Sequence, residues 1–191
     1  MTDLPNLIAE LACGDDVRAE RARTALASHG LEALPALLRL AQSETPDHRW
    51  WALRCLTDVH HPRADDRLLQ GLHESDVAVR QAAALALRDR PLAAAIPRLV
   101  SLLDSADSLL SRLAGDALAA MGSVASPALA QAARSSSAVT RIGAVRALAL
   151  NQDPGAIPAL YAALEDDSSM VEHWAVDGLE RRGLGMVYFP P

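Results

Sequence analysis

Imidazoles, thiols and carboxylates carry most enzymatic acid–base, nucleophilic and metal chemistry, and in this sequence they fall into only a few groupings. His60-His61, His73-Glu74 and Glu172-His173 are the places where imidazoles adjoin one another or a carboxylate. A metal site on a helix wants histidines at i and i+4, which none of these supplies. His60-His61-Pro62 and His73-Glu74 read as solvated turn residues. No metal ligand and no cofactor site is therefore expected. Gly122-Ser123 reads as a helix terminus rather than a nucleophile elbow, and no glycine-rich phosphate loop occurs. Cys13 and Cys55 have no Cys-x-x-Cys spacing and are expected as small buried hydrophobes, a usage that suits a reducing compartment. The acidic runs Asp15-Asp16, Asp65-Asp66 and Glu165-Asp166-Asp167 suit loops and helix starts, where the helix dipole stabilises them. No catalytic residue is expected.

All 18 basic residues are arginine, so neither a Schiff-base lysine nor a phosphate-loop lysine is available. The net charge of −6 argues against a broad basic face for duplex DNA, and nucleic acid is not the expected partner. Met1 to Leu11 carries Asp3, Pro5 and Glu10 and does not read as a signal peptide. No apolar run reaches membrane-spanning length, and the expected setting is cytoplasmic, without a membrane partner.

The elements that position these residues are legible in the composition. Ala and Leu fill 38 and 31 of the 191 positions while only six residues are aromatic, a balance that favours an all-α chain. Leu26, Leu56, Leu87, Leu118, Leu148 and Leu179 recur at steps of 30 or 31 residues. Four residues earlier stand Ala22, Ala52, Ala83, Ala114, Ala144 and Ala175, and one residue earlier Ala25, Cys55, Ala86, Ala117, Ala147 and Gly178. That spacing marks one face of a helix whose small side chains admit a close neighbour. Asp15, Thr45, Asp76, Asp107, Ser137 and Ser168, eleven residues before each leucine, read as N-caps of this second helix. A first helix opens at Pro5, Pro35, Pro97, Pro127 and Pro158, with Asp66 at the corresponding place in the third unit. Six helix pairs follow, with units at about 4–33, 34–63, 64–94, 95–125, 126–155 and 156–182 in one domain, and a tail at 183–191.

Asp76 to Leu87 followed by Ile96-Pro97-Arg98-Leu99, and Val139-Thr140-Arg141 to Leu148 followed by Ala156 to Leu160, resemble HEAT repeats. The similarity is to the short bacterial variety named after the phycobilisome lyases. The resemblance implies a right-handed α-solenoid in which the first helix of each pair is convex and the second lines a concave groove. It implies a non-catalytic scaffold for a protein or peptide, with a bilin-lyase-like subunit and a HEAT-like DNA glycosylase as alternatives. The family's repeated arginine is present at Arg49, Arg80 and Arg141 but replaced by Ala19, Ser111 and Glu172, so its ladder should be incomplete at units one, four and six.

Rotating the second helix at 100° per residue places three rows opposite the core. These run Glu20, Trp50, Gln81, Arg112, Ile142, His173; Arg23, Leu53, Ala84, Gly115, Val145, Val176; and Thr24, Arg54, Leu85, Asp116, Arg146, Asp177. Trp50, Leu53, Arg54, Leu85, Arg112, Ile142, Val145 and Arg146 are the expected groove contacts, apolar members as anchors and arginines as clamps. Burial of some of these between neighbouring helices is the competing reading. Trp51 and Trp174 are expected to pack. Tyr188 and Phe189 in the tail either cap the last unit or dock into another copy to give a homodimer.

Overall fold

The recurring leucine and its small neighbours fall on six long helices, each preceded by a shorter one. The computed structural model describes residues 3–185. The short helices are α1 (Leu4–Leu11), α3 (Leu34–Leu40), α5 (Pro62–Gly71), α7 (Ile96–Leu102), α9 (Ser126–Ala132) and α11 (Ile157–Ala163). The long ones are α2 (Asp16–Leu26), α4 (Pro46–Leu56), α6 (Val77–Asp89), α8 (Ser108–Ala120), α10 (Ala138–Leu150) and α12 (Ser169–Glu180). No strand occurs among the described residues. The chain forms two bodies, Met1–Arg90 with α1–α6 and Pro91–Pro191 with α7–α12. Within the first, α2 and α6 both pack on α4; within the second, α8 and α12 both pack on α10.

All six register leucines are buried, as are the six alanines one turn before them. Each such leucine contributes roughly 1.5–3 kcal/mol of hydrophobic stabilisation, and the alanines set how closely the helices approach. Gly178 marks a close approach of backbones, because a Cβ there would lie 2.9 Å from the Cα and Cβ of Ala149 on α10.

The helix boundaries show where local chemistry agrees with the pattern. Asp15, Thr45, Asp76, Asp107, Ser137 and Ser168 all stand at N-caps with extended backbone. Asp15, Asp76, Asp107 and Ser137 accept first-turn amides, but Thr45 and Ser168 make no such bond. Before α3, α7, α9 and α11 the chain makes a 3-10 turn. The third pair differs: α5 begins at Pro62, four residues ahead of Asp66, because His61 takes the cap and its Nδ1 accepts the Arg63 amide. Beyond the end of α12, Gly183 adopts φ 72° and the Leu184 amide reaches back to the Leu179 carbonyl. The left-handed conformation needed for that stop is one glycine adopts without steric cost.

Arginines tie successive pairs together at both ends of the long helices. Arg49 Nη1 donates to the carbonyls of Ser43 and Glu44, and its guanidinium lies 3.2 Å from Glu74 in the next pair. Arg80 holds the carbonyls of Glu74 and Ser75. Arg141 holds those of Ser135 and Ser136 and reaches Asp166 and Asp167. Of the replaced positions, Ser111 keeps part of this role by donating to the Leu103 carbonyl, while Ala19 is buried and Glu172 exposed. At the other end, Arg182 Nη2 donates to the carbonyls of Leu148 (2.9 Å) and Asn151 (2.5 Å), and Nη1 to those of Gly178 (2.6 Å) and Ala149 (3.3 Å). Arg90 reaches the Val59 carbonyl and Asp65 in the same manner.

Candidate functional site

The three rows expected to face a partner separate by burial. Leu53 and Val145 have 0% exposure, and Ala84 and Gly115 in the same row are buried too. Leu53 and Val145 are therefore removed from the contact set: both are fully buried, and the Leu53 methyls pack against Gly71 of α5. Trp50, Arg54, Leu85, Ile142 and Arg146 are half-buried and Arg112 is exposed. Trp51 is buried, whereas Trp174 is half-buried with the Arg146 guanidinium 5.7 Å above its ring. Tyr188 and Phe189 lie outside the described residues.

In the first body, Trp50 and Trp51 meet edge to face at 4.7 Å and line an open pocket of about 400 Å³ with Pro46, Ala78 and the carboxylates of Asp16, Asp47 and Asp76. Arg54 is drawn inward, 3.8 Å from Asp89 and 6.0 Å from the centre of the Trp50 ring. Leu85 does not line this pocket.

In the second body, Arg112, Ile142 and Arg146 come together. They line a pocket of about 330 Å³ between α8 and α10, with Val139 on the wall and Ser105, Ser108 and Ser111 along one edge. Gly115 and Gly143 lie on its lining as well, and a Cβ on Gly143 would lie 3.2 Å from the buried Leu103, so that glycine admits the close approach of the leucine. Gly143 stands where the second and sixth pairs have Trp51 and Trp174, and Gly115 where they have Leu53 and Val176. Those two registers held a signal for the hollow that the apolar rows alone did not reveal. A Cβ on Gly115 would sit 3.5 Å from Arg146 Nη1 and 3.7 Å from Leu103, ordinary contact distances. Arg146 Nη2 pairs with Asp116 at 2.7 Å, whereas Arg112 has no hydrogen-bond or ion-pair partner among the described residues.

The remaining reactive groups are accounted for differently. Burial pushes the Cys55 thiol up to about 12, which leaves it protonated at neutral pH. Cys13 is exposed, contrary to the expectation that it is buried, because it follows the end of α1 in the turn to α2. His73 is exposed in its turn, while Glu74 is taken up by Arg49 and Arg67. No group of three or more His, Cys, Asp or Glu side chains placed to hold a metal occurs among the described residues. None of their helices is long and apolar enough to cross a membrane.

Comparison with known proteins places this arrangement. A family model described as HEAT repeats matches residues 4–88, 66–141 and 126–185. Among solved structures, the Escherichia coli protein YibA is similar with a TM-score of 0.63 at 15% identity, over 96% of this chain and 72% of that one. The complex of CpcE and CpcF of phycocyanin lyase from Nostoc sp. PCC7120 gives 0.57 at 23% identity, over 94% and 76%. A designed armadillo repeat protein in complex with the peptide (KR)4 gives 0.51 at 20% identity, over 94% and 99%. At these identities the likeness concerns the fold. A search of curated proteins gives no match. With six leucine registers on paired helices and the family model spanning nearly all described residues, the chain is a HEAT-repeat α-solenoid and belongs to the HEAT-repeat family.

Proposed function

We propose that the chain is a non-catalytic scaffold that holds a segment of another protein, with the hollow between α8 and α10 as a contact point. The observation that carries this reading is the hollow itself, lined by Arg112, Ile142, Arg146 and the helix-interior Gly115 of α8. A helix-interior glycine costs about 1 kcal/mol relative to alanine, and the space around Gly115 does not demand it. A site kept open at a cost to the fold is a site with an occupant. The pocket is small beside a protein interface, so it would seat one or two anchoring side chains of a longer segment. Similar folds occur with such partners: the armadillo relative is in complex with a peptide, and CpcE with CpcF.

Ile142→Asp would place a charge on the apolar wall, whereas Tyr161→Ala alters an exposed residue of the short helix α11. Affinity capture from the source cell, with the fold of each variant checked by circular dichroism, tests the reading. A partner retained by wild type and by Tyr161→Ala is expected to be lost with Ile142→Asp. Equal retention by both folded variants would overturn the assignment.

A further inference from the structure

The α8–α10 hollow also carries information about what it takes. Its ionisable lining residues, Arg112 and Arg146, are both cations, in a chain whose net charge is −6. No carboxylate among the described residues lines it. Arg146 is neutralised by Asp116 through Nη2, and its Nη1 lies over the Gly115 position at the floor. Arg112 is exposed and unpaired among the described residues, so its positive charge has no internal counterpart. The opposite wall is aliphatic, with Ile142 half-buried and Val139 53% exposed. An arginine with no structural partner beside an apolar wall is complementary to a carboxylate next to an aliphatic group.

We propose that the occupant is an acidic, aliphatic peptide segment, its carboxylate taken by the Arg112 guanidinium and an adjacent leucine-like side chain resting on Ile142 and Val139. A planar guanidinium suits a carboxylate because its paired N–H donors match the two oxygens. The hydroxyl of Ser108, at the same edge, is an additional donor able to meet a backbone or carboxylate oxygen. The proposal rests on the scaffold reading of the same hollow and adds the chemistry of the partner.

The test uses the full chain and three fluorescently labelled peptides in which leucine alternates with glutamate, glutamine or lysine, followed by anisotropy at low ionic strength. The glutamate peptide is expected to bind saturably and at least tenfold more tightly than the glutamine peptide, with the lysine peptide weakest. Arg112→Gln should erase the preference of glutamate over glutamine, and because Arg112 is exposed and has no partner among the described residues, the fold should survive it. Added salt should weaken the glutamate peptide selectively. Glutamate and glutamine peptides binding equally, and both lost with Ile142→Asp, would overturn the acidic preference while leaving the hollow a binding site. No saturable binding of any peptide up to about 1 mM, the millimolar limit of weak association, would overturn both readings.

Discussion

Replacing Arg182 by methionine keeps the aliphatic stem and removes every donor from the clasp that joins α12 to the end of α10. Wild-type Nη2 reaches the Leu148 and Asn151 carbonyls at 2.9 and 2.5 Å, and Nη1 reaches Gly178 of its own helix at 2.6 Å. The bond to the Ala149 carbonyl, at 3.3 Å, is weaker. Desolvation holds the Arg182 pKa below the usual arginine value, so the guanidinium is partly withdrawn from water and water replaces it incompletely. Counting only the two short bonds that cross to α10, at about 1–1.5 kcal/mol each for a charged donor in a partly solvated site, gives a loss of about 2–3 kcal/mol. For a chain of this length that lowers Tm by about 5–10 °C. In a nearest-neighbour stack the loss should appear first in the terminal pair. With Trp50 and Trp51 changed to phenylalanine, Trp174 on α12 becomes the sole tryptophan and reports that pair in a urea titration. The Trp174 transition is expected to move to lower urea in Arg182→Met, while Arg181→Met, which removes an exposed pair with Asp177, leaves it nearly in place. Equal shifts in the two variants, or a shift for Arg182→Met below about 0.5 kcal/mol, the bound for a featureless surface change, would refute the clasp.

Other perturbations follow from the same contacts. Gly178→Ala should destabilise the chain by about 1–3 kcal/mol, since its Cβ would meet the Ala149 backbone, which cannot step aside. Gly115→Ala should leave stability equal or raise it by up to about 1 kcal/mol, and urea midpoints compare the two directly. Maleimide labelling of the folded chain should modify Cys13 quickly and Cys55 only after unfolding; a second fast thiol in the native state would contradict the burial of Cys55. Hydrogen bonding to Arg141 holds the Asp166 carboxyl below the usual aspartate range. A folded pKa lowered in this way contributes stability above the ordinary carboxylate value and loses it as pH falls through the folded value. The gap in urea midpoint between wild type and Arg141→Gln should therefore be widest at neutral pH and narrow in strong acid to what the Ser135 and Ser136 carbonyl bonds contribute, and a pH-independent gap would contradict the pairing.

The fold was legible because it rests on repetition. A leucine every 30 or 31 residues, with alanine one turn before it, recurs often enough that a single departure does not blur the register. The N-cap residues were equally visible, although the missing bonds at Thr45 and Ser168 were not, since cap geometry depends on side-chain rotamers rather than residue type. The candidate site was only partly readable. A helical wheel places Leu53 and Val145 away from the core of their own helix, but it contains no other helix and cannot register the packing that buries them. Arg112, Ile142 and Arg146 belong to rows that remain open, and the structure brings them to one pocket. The Arg182 clasp left no repeat signal, because the equivalent positions are His29, Val59, Arg90, Met121 and Asn151. The contact depends on reach and on carbonyl placement, neither of which is periodic.

Placing a photo-crosslinking side chain at Ile142, and separately at Tyr161, in the full chain within its own cell tests the central claim most directly. The attached peptides are then identified by mass spectrometry. The account predicts that position 142, at the hollow between α8 and α10, crosslinks to one recurring protein segment, while position 161 on α11 does not. Crosslinking to that same segment from position 161 alone, or indiscriminate labelling from both positions, would contradict it.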